Sequence, residues 1–146
     1  MKKELQWCKS VLDASDKKWR IVMTHAGPYT SNHDPMDVRD YYINDSEYSL
    51  DAMGVDLFLN GHDHIYIRST VKNDIKVNTG DGTTYLTGGT VGNKFYEYIP
   101  ARSDHSTAFY PADAEKQVFP ILAFSEASTP GPAYQTPAED NWTPLK

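Results

Sequence analysis

The residues GVDLFLNGHDH at positions 54–64 decide the fold class, because an apolar run, Val55 to Leu59, ends in a turn that carries two histidines. A second apolar run, Trp19 to Thr24 (WRIVMT), ends in the same way at His25. Apart from Arg20, Thr24 and Asp56, both runs are hydrophobic instead of alternating, which is typical of strands covered on both faces. We therefore predict two buried strands whose carboxyl ends carry histidines.

Helical patterns precede both strands. Apolar side chains at helical spacing predict a helix over residues 3–15. Ser46 as an N-cap and Gly54 as the residue after a helix predict a second helix from Ser46 to Met53. Residues 26–35 are rich in Gly, Pro and Asn and are expected to form a loop. The order helix–strand–helix–strand predicts the α/β (α+β) class.

The pattern changes after the second histidine turn. Alternation over Ile65 to Val71, a turn at Asn73-Asp74 and a short run from Ile75 to Val77 predict a hairpin. A further strand is expected from Thr83 to Thr87, after the turn at Gly80-Asp81-Gly82.

The composition changes again near residue 100, so we divide the chain into a domain part, residues 1–99, and a Pro-rich extension, residues 100–146. The extension is expected to be irregular, above all over residues 130–146, which contain four prolines. Val118 to Phe124 is its one apolar island and predicts a strand, and Pro120 within it favours an edge position.

Charge and cysteine content exclude several classes of function. The 146 residues carry a net charge of -6, and no basic run is present, so nucleic acid is not an expected partner. The single cysteine, Cys8, excludes an internal disulfide framework and a cysteine-based zinc site. No apolar stretch follows the first residues, so neither a signal peptide nor a membrane span is expected.

The histidines at the two strand ends are the candidate metal ligands. The carboxyl ends of neighbouring strands in an open α/β sheet are where sites gather, so His25, His62 and His64 are expected to meet there. In an extended segment the rings of His62 and His64 would project to one side and Asp63 to the other, with Gly61 permitting a tight turn before them. The alternative is that these histidines are incidental in a small α/β domain.

Two motifs carry a family resemblance. VMTH at 22–25 resembles the V-x-x-H motif of the purple acid phosphatases, and NGHDHIYIR at 60–68 resembles their G-H-x-H motif. The resemblance extends to TTYLTGGTVGNKFY at 83–96. These enzymes belong to the calcineurin-like metallophosphoesterase superfamily. The resemblance implies the C-terminal half of a four-layer αββα sandwich with a dinuclear metal centre at the strand ends.

The resemblance also implies residue roles. His25 and His62 would ligate the divalent metal, and His64 the second metal, which is ferric iron in purple acid phosphatases. The centre would be of the Fe, Zn or Mn type and would hydrolyse a small phosphate ester. His33, in SNHD at 31–34, would bind the substrate phosphate or protonate the leaving group as a catalytic residue. The alternative for His33 is a solvated loop histidine, and Asp63 is expected either to orient the loop or to be solvated.

Three other motifs of that family, D-x-G, G-D-x-x-Y and G-N-H-[DE], do not precede His25. We therefore expect an incomplete set of metal ligands, weak metal binding and little or no phosphatase activity from this chain alone. The resemblance, and not the sequence itself, suggests that the longer protein of which this chain would be a part is secreted or lies at the cell surface. The alternative function is a non-catalytic remnant domain that binds a metal or forms a homodimer through an open sheet edge.

Overall fold

In the computed structural model, the residues that the structure describes are 1–32, 36–78, 80–97, 99, 108–109, 117–122, 124, 133–135 and 143–144. Helix α1 spans Lys2–Asp13 and confirms the first predicted helix. Its buried residues are Leu5 and Leu12, which lie two turns apart on the same face. No helix in this described part of the chain is long and apolar enough to cross a membrane.

The predicted helix from Ser46 to Met53 is wrong. The helical residues lie earlier, in α2, Met36–Arg39, which continues into a π-helical turn, Asp40–Asn44. A series of turns then covers residues 46–54. The carboxylate of Asp45 accepts the backbone N–H groups of Glu47 and Tyr48, both at 2.9 Å. Side-chain bonds of this kind compete with helical backbone bonds and favour turns.

Within the described residues, the main sheet contains six strands. They are β1, Ile21–Met23; β2, Leu57–Asn60; β3, Tyr66–Lys72; β4, Ile75–Lys76; β5, Thr83–Gly88; and β6, Ala108–Phe109. The strand order is β1-β2-β5-β3-β4, and β6 pairs with β3. Strands β1, β2 and β5 run parallel, whereas β3 runs antiparallel to β5, β4 and β6, and the sheet confirms the α/β class.

The predicted hairpin is confirmed as β3 and β4. Its two turn residues, Asn73 and Asp74, have φ values of 49° and 60°. Positive φ at both central residues is the requirement of a type I′ turn, which matches the twist of the flanking strands.

The central strands are buried on both faces, as their apolar runs predict. Phe58 and Tyr85 face one core, and Leu57 and Leu86 face the other. The first core also contains Leu5, Leu12, Tyr29, Tyr42, Leu50, Met53, Val55 and Val71. The second is completed by Tyr66 and Val118.

Strand β1 contradicts the expectation of a buried strand. It is the edge strand of the main sheet, and its Ile21 and Met23 side chains are 42% and 77% exposed. Only Val22, which points to the other face, packs against a core. The apolar run therefore predicts strand formation correctly. Because β1 lies at an edge of the sheet, its face that carries Ile21 and Met23 is not covered.

A second sheet lies in the C-terminal part and contains β7, Val118–Pro120; β8, Ala133–Gln135; and β9, Thr143–Pro144. Its strand order is β7-β8-β9. The predicted strand at Val118 is confirmed over three residues, and Pro120 lies in an edge strand as expected. The expectation that residues 130–146 are irregular is wrong where β8 and β9 form.

Two buried tyrosines make the fold sensitive to alkaline pH. Burial, together with Tyr85 and the Asp74 carboxylate, raises the pKa of Tyr29 well above its usual range. Burial, with a smaller contribution from the Asp51 carboxylate, does the same to the pKa of Tyr85. The folded state therefore keeps protons that the unfolded chain releases above about pH 10. The two tyrosines therefore contribute their full stabilisation of the fold below about pH 10, and this contribution is lost as the pH rises from there towards their raised pKa values in the folded state.

We predict that Tyr85→Phe flattens this pH dependence. Each such tyrosine increases the unfolding constant about tenfold per pH unit above about pH 10, and the phenylalanine removes one of them. Urea unfolding between about pH 8 and about pH 11.5 measures the slope. Tyr41→Phe is the control, because 42% of the Tyr41 side chain is already exposed in the fold. Equal alkaline slopes for Tyr85→Phe and the wild type would contradict the prediction.

Candidate metal centre

The pairing of β1 with β2 brings two of the predicted histidines into contact. The register places Met23 opposite Leu59, and the backbone N–H of Gly61 donates to the carbonyl of His25 at 3.0 Å. His62 therefore lies beside His25. Its Nδ1 is 3.1 Å from Nε2 of His25, and the two ring centroids are 4.9 Å apart in an edge-to-face arrangement.

The spacing of these two nitrogens fits a shared metal ion. Zinc–nitrogen bonds are about 2.0–2.1 Å long, so two nitrogens on one tetrahedral zinc lie about 3.3 Å apart. The observed separation of His62 Nδ1 from His25 Nε2 is 3.1 Å. The same separation also suits an N–H···N hydrogen bond, in which one ring donates to the lone pair of the other. His25 is exposed and His62 is half-buried, so solvent can reach the pair.

His64 is held away from this pair by another segment. Its Nδ1 is 3.0 Å from the backbone carbonyl oxygen of Lys94. A carbonyl can only accept, so Nδ1 of His64 carries the proton and Nε2 carries the lone pair. The His64 ring also packs against Tyr96, with 4.6 Å between the centroids. A histidine whose Nδ1–H is anchored to a backbone carbonyl is in the form in which metal-binding histidines are commonly held.

The backbone of the histidine turn differs from the extended segment that the sequence suggested. His62 and His64 have φ values of 70° and 30°, in the left-handed region. For non-glycine residues such conformations cost of order 1 kcal/mol or more and are concentrated at functional sites. The expected tight turn at Gly61 is present, because its carbonyl accepts the backbone N–H of Asp63 at 2.8 Å, but the left-handed backbone lies at the two histidines and not at the glycine. As a result, the two rings turn to different neighbours.

Asp63 ties the histidine turn to the loop that follows His25. Its side chain is fully buried, and its carboxylate accepts the backbone N–H groups of Ser31 and Asn32. The bond from Asn32 measures 3.0 Å to Oδ2. Of the two expectations for Asp63, orientation of the loop is confirmed and solvation is wrong. The buried charge is stabilised by these bonds, since a carboxylate without partners would be costly to bury.

A third segment, of which residues 94–97 and 99 are described, bonds to the loops that carry the histidines. Ser31 Oγ accepts the backbone N–H of Ile99 at 2.8 Å, and Asn32 Nδ2 donates to the carbonyl of Glu97 at 3.2 Å. Together with the contacts of His64, these bonds join the segment to both histidine-bearing loops. Sequence reasoning gave this segment no role, and the only signal for it was the resemblance that extends to Tyr96.

Close backbone packing fixes the strand ends beneath the histidines. A Cβ atom at Gly27 would lie 2.5 Å from the side chain of Asn60, so only glycine fits there. Asn60 is buried and donates through Nδ2 to Thr87 Oγ1 at 3.0 Å. The loop after β1 and the ends of β2 and β5 are thereby packed together.

The predicted ligands are thus only partly assembled within the described residues. His25 and His62 meet, whereas His64 is held by residues 94–96, and His33 lies outside the described residues. No group of three or more His, Cys, Asp or Glu side chains in this part of the chain is arranged to hold a metal ion. The residues fit two ligand positions of a metal site rather than a complete one. The metal role of each histidine stays a prediction.

A cavity of 490 Å³ lies at the opposite ends of the strands and contains none of these histidines. Its wall includes the carboxylates of Asp51 and Asp56. Asp51 accepts bonds from the backbone of Asn73 and the hydroxyl of Thr83, at 2.6 and 3.0 Å. Asp56 accepts the backbone N–H of Arg20 at 2.8 Å. These carboxylates therefore connect turns of the fold.

Comparison with known proteins identifies relatives of the region that contains all three strand-end histidines. Residues 1–66 match the family model of the calcineurin-like phosphoesterases. Purple acid phosphatase 18 of Arabidopsis thaliana is 32% identical to the chain over 98 residues, which cover 62% of this chain and 21% of that relative. The chain therefore spans about one fifth of the relative's length.

We predict that Asp63→Ala destabilises the fold. The substitution leaves the buried N–H of Ser31 and the partly buried N–H of Asn32 without this acceptor, and a fully buried group of this kind costs about 1–3 kcal/mol. The expected loss in the free energy of unfolding is about 2–4 kcal/mol, and Asp63→Asn, which keeps one acceptor oxygen, should lose less. Urea unfolding at neutral pH measures both.

The matched control for Asp63 is Asp16→Ala, because the Asp16 side chain is 86% exposed. It should leave the unfolding midpoint unchanged. An Asp63→Ala variant as stable as this control would show that the carboxylate does not hold the loop.

Proposed function

We propose that this chain, whose residues 1–66 match the family model of the calcineurin-like phosphoesterases, carries part of a metal-dependent phosphoester hydrolase of the purple acid phosphatase type. The contact between His25 Nε2 and His62 Nδ1 at the ends of adjacent parallel strands is the observation that carries the proposal. In it, these two nitrogens hold the divalent metal of a dinuclear centre, and His64 holds the second metal through Nε2.

The residues around the metal positions have separate tasks. Asp63 keeps the loop after His25 against the histidine turn, through the backbone of Ser31 and Asn32. Bound metal supplies Lewis-acid polarisation of the phosphoryl oxygens and activation of water. His33 comes directly after Asn32 in the sequence and is the proposed residue for binding the phosphate or protonating the leaving group. A small phosphate ester is the proposed substrate, since a chain of net charge -6 does not favour a polyanion.

We further propose that this chain alone turns over little or no substrate. Two imidazoles in contact give a metal ion two protein ligands, and catalytic zinc sites generally have three. The described residues provide no cluster of three ligand side chains. The chain corresponds to 21% of the purple acid phosphatase that it resembles, so the remaining ligands are proposed to come from the rest of an intact enzyme.

Zinc binding tests the proposed pair of ligands. Calorimetric titration of the purified chain should show weak zinc binding that is lowered at least tenfold in His25→Ala and in His62→Ala, because each variant removes one of two nitrogens. His33→Ala is the matched control and should bind zinc like the wild type, since it is proposed to contact substrate. Unchanged zinc affinity in both strand-end variants would sink the proposal.

Hydrolysis of an aryl phosphate by the purified chain tests the second part of the proposal. With zinc, manganese or iron added, the rate should stay close to the uncatalysed rate. Fast, metal-dependent turnover that is lost in His62→Ala would show instead that the chain is a complete enzyme.

A second candidate function is a non-catalytic domain that self-associates, and the edge strand β1 favours it. Arg20 and Thr24 bond to β2, so the backbone groups of Ile21 and Met23 face away from the sheet. Both side chains are exposed and apolar. Unprotected edges of this kind pair with other strands, and a two-fold dimer would place β1 antiparallel to its copy.

Sedimentation equilibrium tests self-association. The candidate function predicts a concentration-dependent dimer of the wild type and a monomer for Met23→Lys, because a lysine at an edge strand opposes pairing. Val91→Lys is the control, since Val91 is 72% exposed and lies outside the strands. A wild type that stays monomeric at every concentration removes this candidate.

A further inference from the structure

Two adjacent contacts fix the ring of His64. The carbonyl oxygen of Lys94 lies 3.0 Å from Nδ1, and the ring of Tyr96 packs at 4.6 Å between centroids with a tilt of 43°. One contact determines which nitrogen carries the proton, and the other restricts rotation of the imidazole. Both come from one short segment outside residues 1–66, which match the calcineurin-like phosphoesterase family.

Tyr96 is itself held in place. The ammonium group of Lys94 lies 4.9 Å from the centre of the Tyr96 ring, at a distance typical of a cation–π contact. Lys94 therefore acts twice: its backbone carbonyl bonds to His64, and its side chain covers the tyrosine that packs on His64. The same segment is anchored to the loop after His25, because the Glu97 carbonyl accepts a hydrogen bond from Asn32 and the Ile99 N–H donates one to Ser31.

The unusual backbone conformation of His64 needs support from contacts such as these. His64 has a φ of 30°, a conformation that a histidine seldom adopts without support from its surroundings. The Lys94 carbonyl and the Tyr96 ring provide that support. A ring that only filled space would need neither a fixed tautomer nor an unusual backbone.

We propose that Tyr96 is a positioning residue for His64: with the Lys94 carbonyl, it holds the imidazole with the proton on Nδ1 and the lone pair of Nε2 presented as a metal ligand. Partners of this kind fix the tautomer and orientation of metal-binding histidines, and their loss weakens metal binding about 10–100-fold. The metal role of His64 rests on the proposed function. The tautomer of its ring does not, because it can be measured in the metal-free chain.

Nitrogen-15 NMR of the histidine-labelled chain at neutral pH measures the tautomer directly. The His64 signals are identified by their absence from the spectrum of His64→Gln. In the wild type, we expect the proton on Nδ1. In Tyr96→Leu, which removes the aromatic ring, we expect a mixture of both tautomers.

Three variants separate positioning from general packing. Tyr96→Phe keeps the ring and should keep the Nδ1 tautomer. Lys94→Ala keeps the backbone carbonyl and should leave most of the His64 population in the Nδ1 tautomer. Tyr41→Leu removes a half-exposed tyrosine elsewhere and should leave His64 unchanged, even if stability falls.

Zinc titration followed on the same His64 signals provides the second measurement. The zinc concentration that half-saturates the His64 response should rise at least about tenfold in Tyr96→Leu and stay unchanged in Tyr96→Phe. If wild-type His64 gives no response to zinc while its tautomer depends on Tyr96, the proposed function fails at this residue and the positioning role stands.

Two results would overturn the positioning role. One is a wild-type His64 with its proton on Nε2, which can be read even if Tyr96→Leu does not fold. The other is a folded Tyr96→Leu variant whose His64 tautomer and zinc response match those of the wild type.

Discussion

The parallel pairing of β1 with β2 is the constraint on which the rest of the candidate site depends. The bonds from Thr24 to Leu59 and from Gly61 to His25 set the register of the two strand ends. A shift by one residue would turn every side chain of β1 to the opposite face and separate the two imidazoles. Gly27 permits this register, because any side chain there would collide with Asn60.

The loops of the site are held together by polar groups that hydrogen-bond from one loop to another. Asp63 has no exposed surface, so its charge can be buried only because backbone N–H groups converge on it. The same loop then bonds to residues 97 and 99. Three segments that are distant in sequence are therefore held in one arrangement. The histidines are exposed or half-buried at the outside of this network, where solvent has access.

The sequence predicted the elements that follow from local pattern. Continuous apolar runs identified β1 and β2, and Asn73-Asp74 identified the hairpin, since each depends on residues close together in the chain. The approach of His25 to His62 also followed, because parallel strands end at one edge. The exposure of β1 could not be predicted, since it depends on strand order. The helix expected at Ser46 failed because Asp45 bonds to the following backbone instead.

The separate placement of His64 was beyond sequence reasoning for a similar reason. Positive φ values at two histidines are not suggested by their residue type, and the partners that hold His64 lie 30 residues further along the chain. Alternation of side chains, which places His62 and His64 on one side, applies only to extended backbone. In the structure, the ring of His62 contacts His25, whereas the ring of His64 contacts Lys94 and Tyr96.

In the proposed function, His25 Nε2 and His62 Nδ1 are ligands of one metal ion. Anomalous diffraction from crystals of the chain grown with zinc measures this directly. We expect an anomalous peak between the two rings, about 2.0–2.1 Å from each nitrogen. Zinc bound elsewhere, with the two imidazoles still in contact and no peak between them, would contradict it.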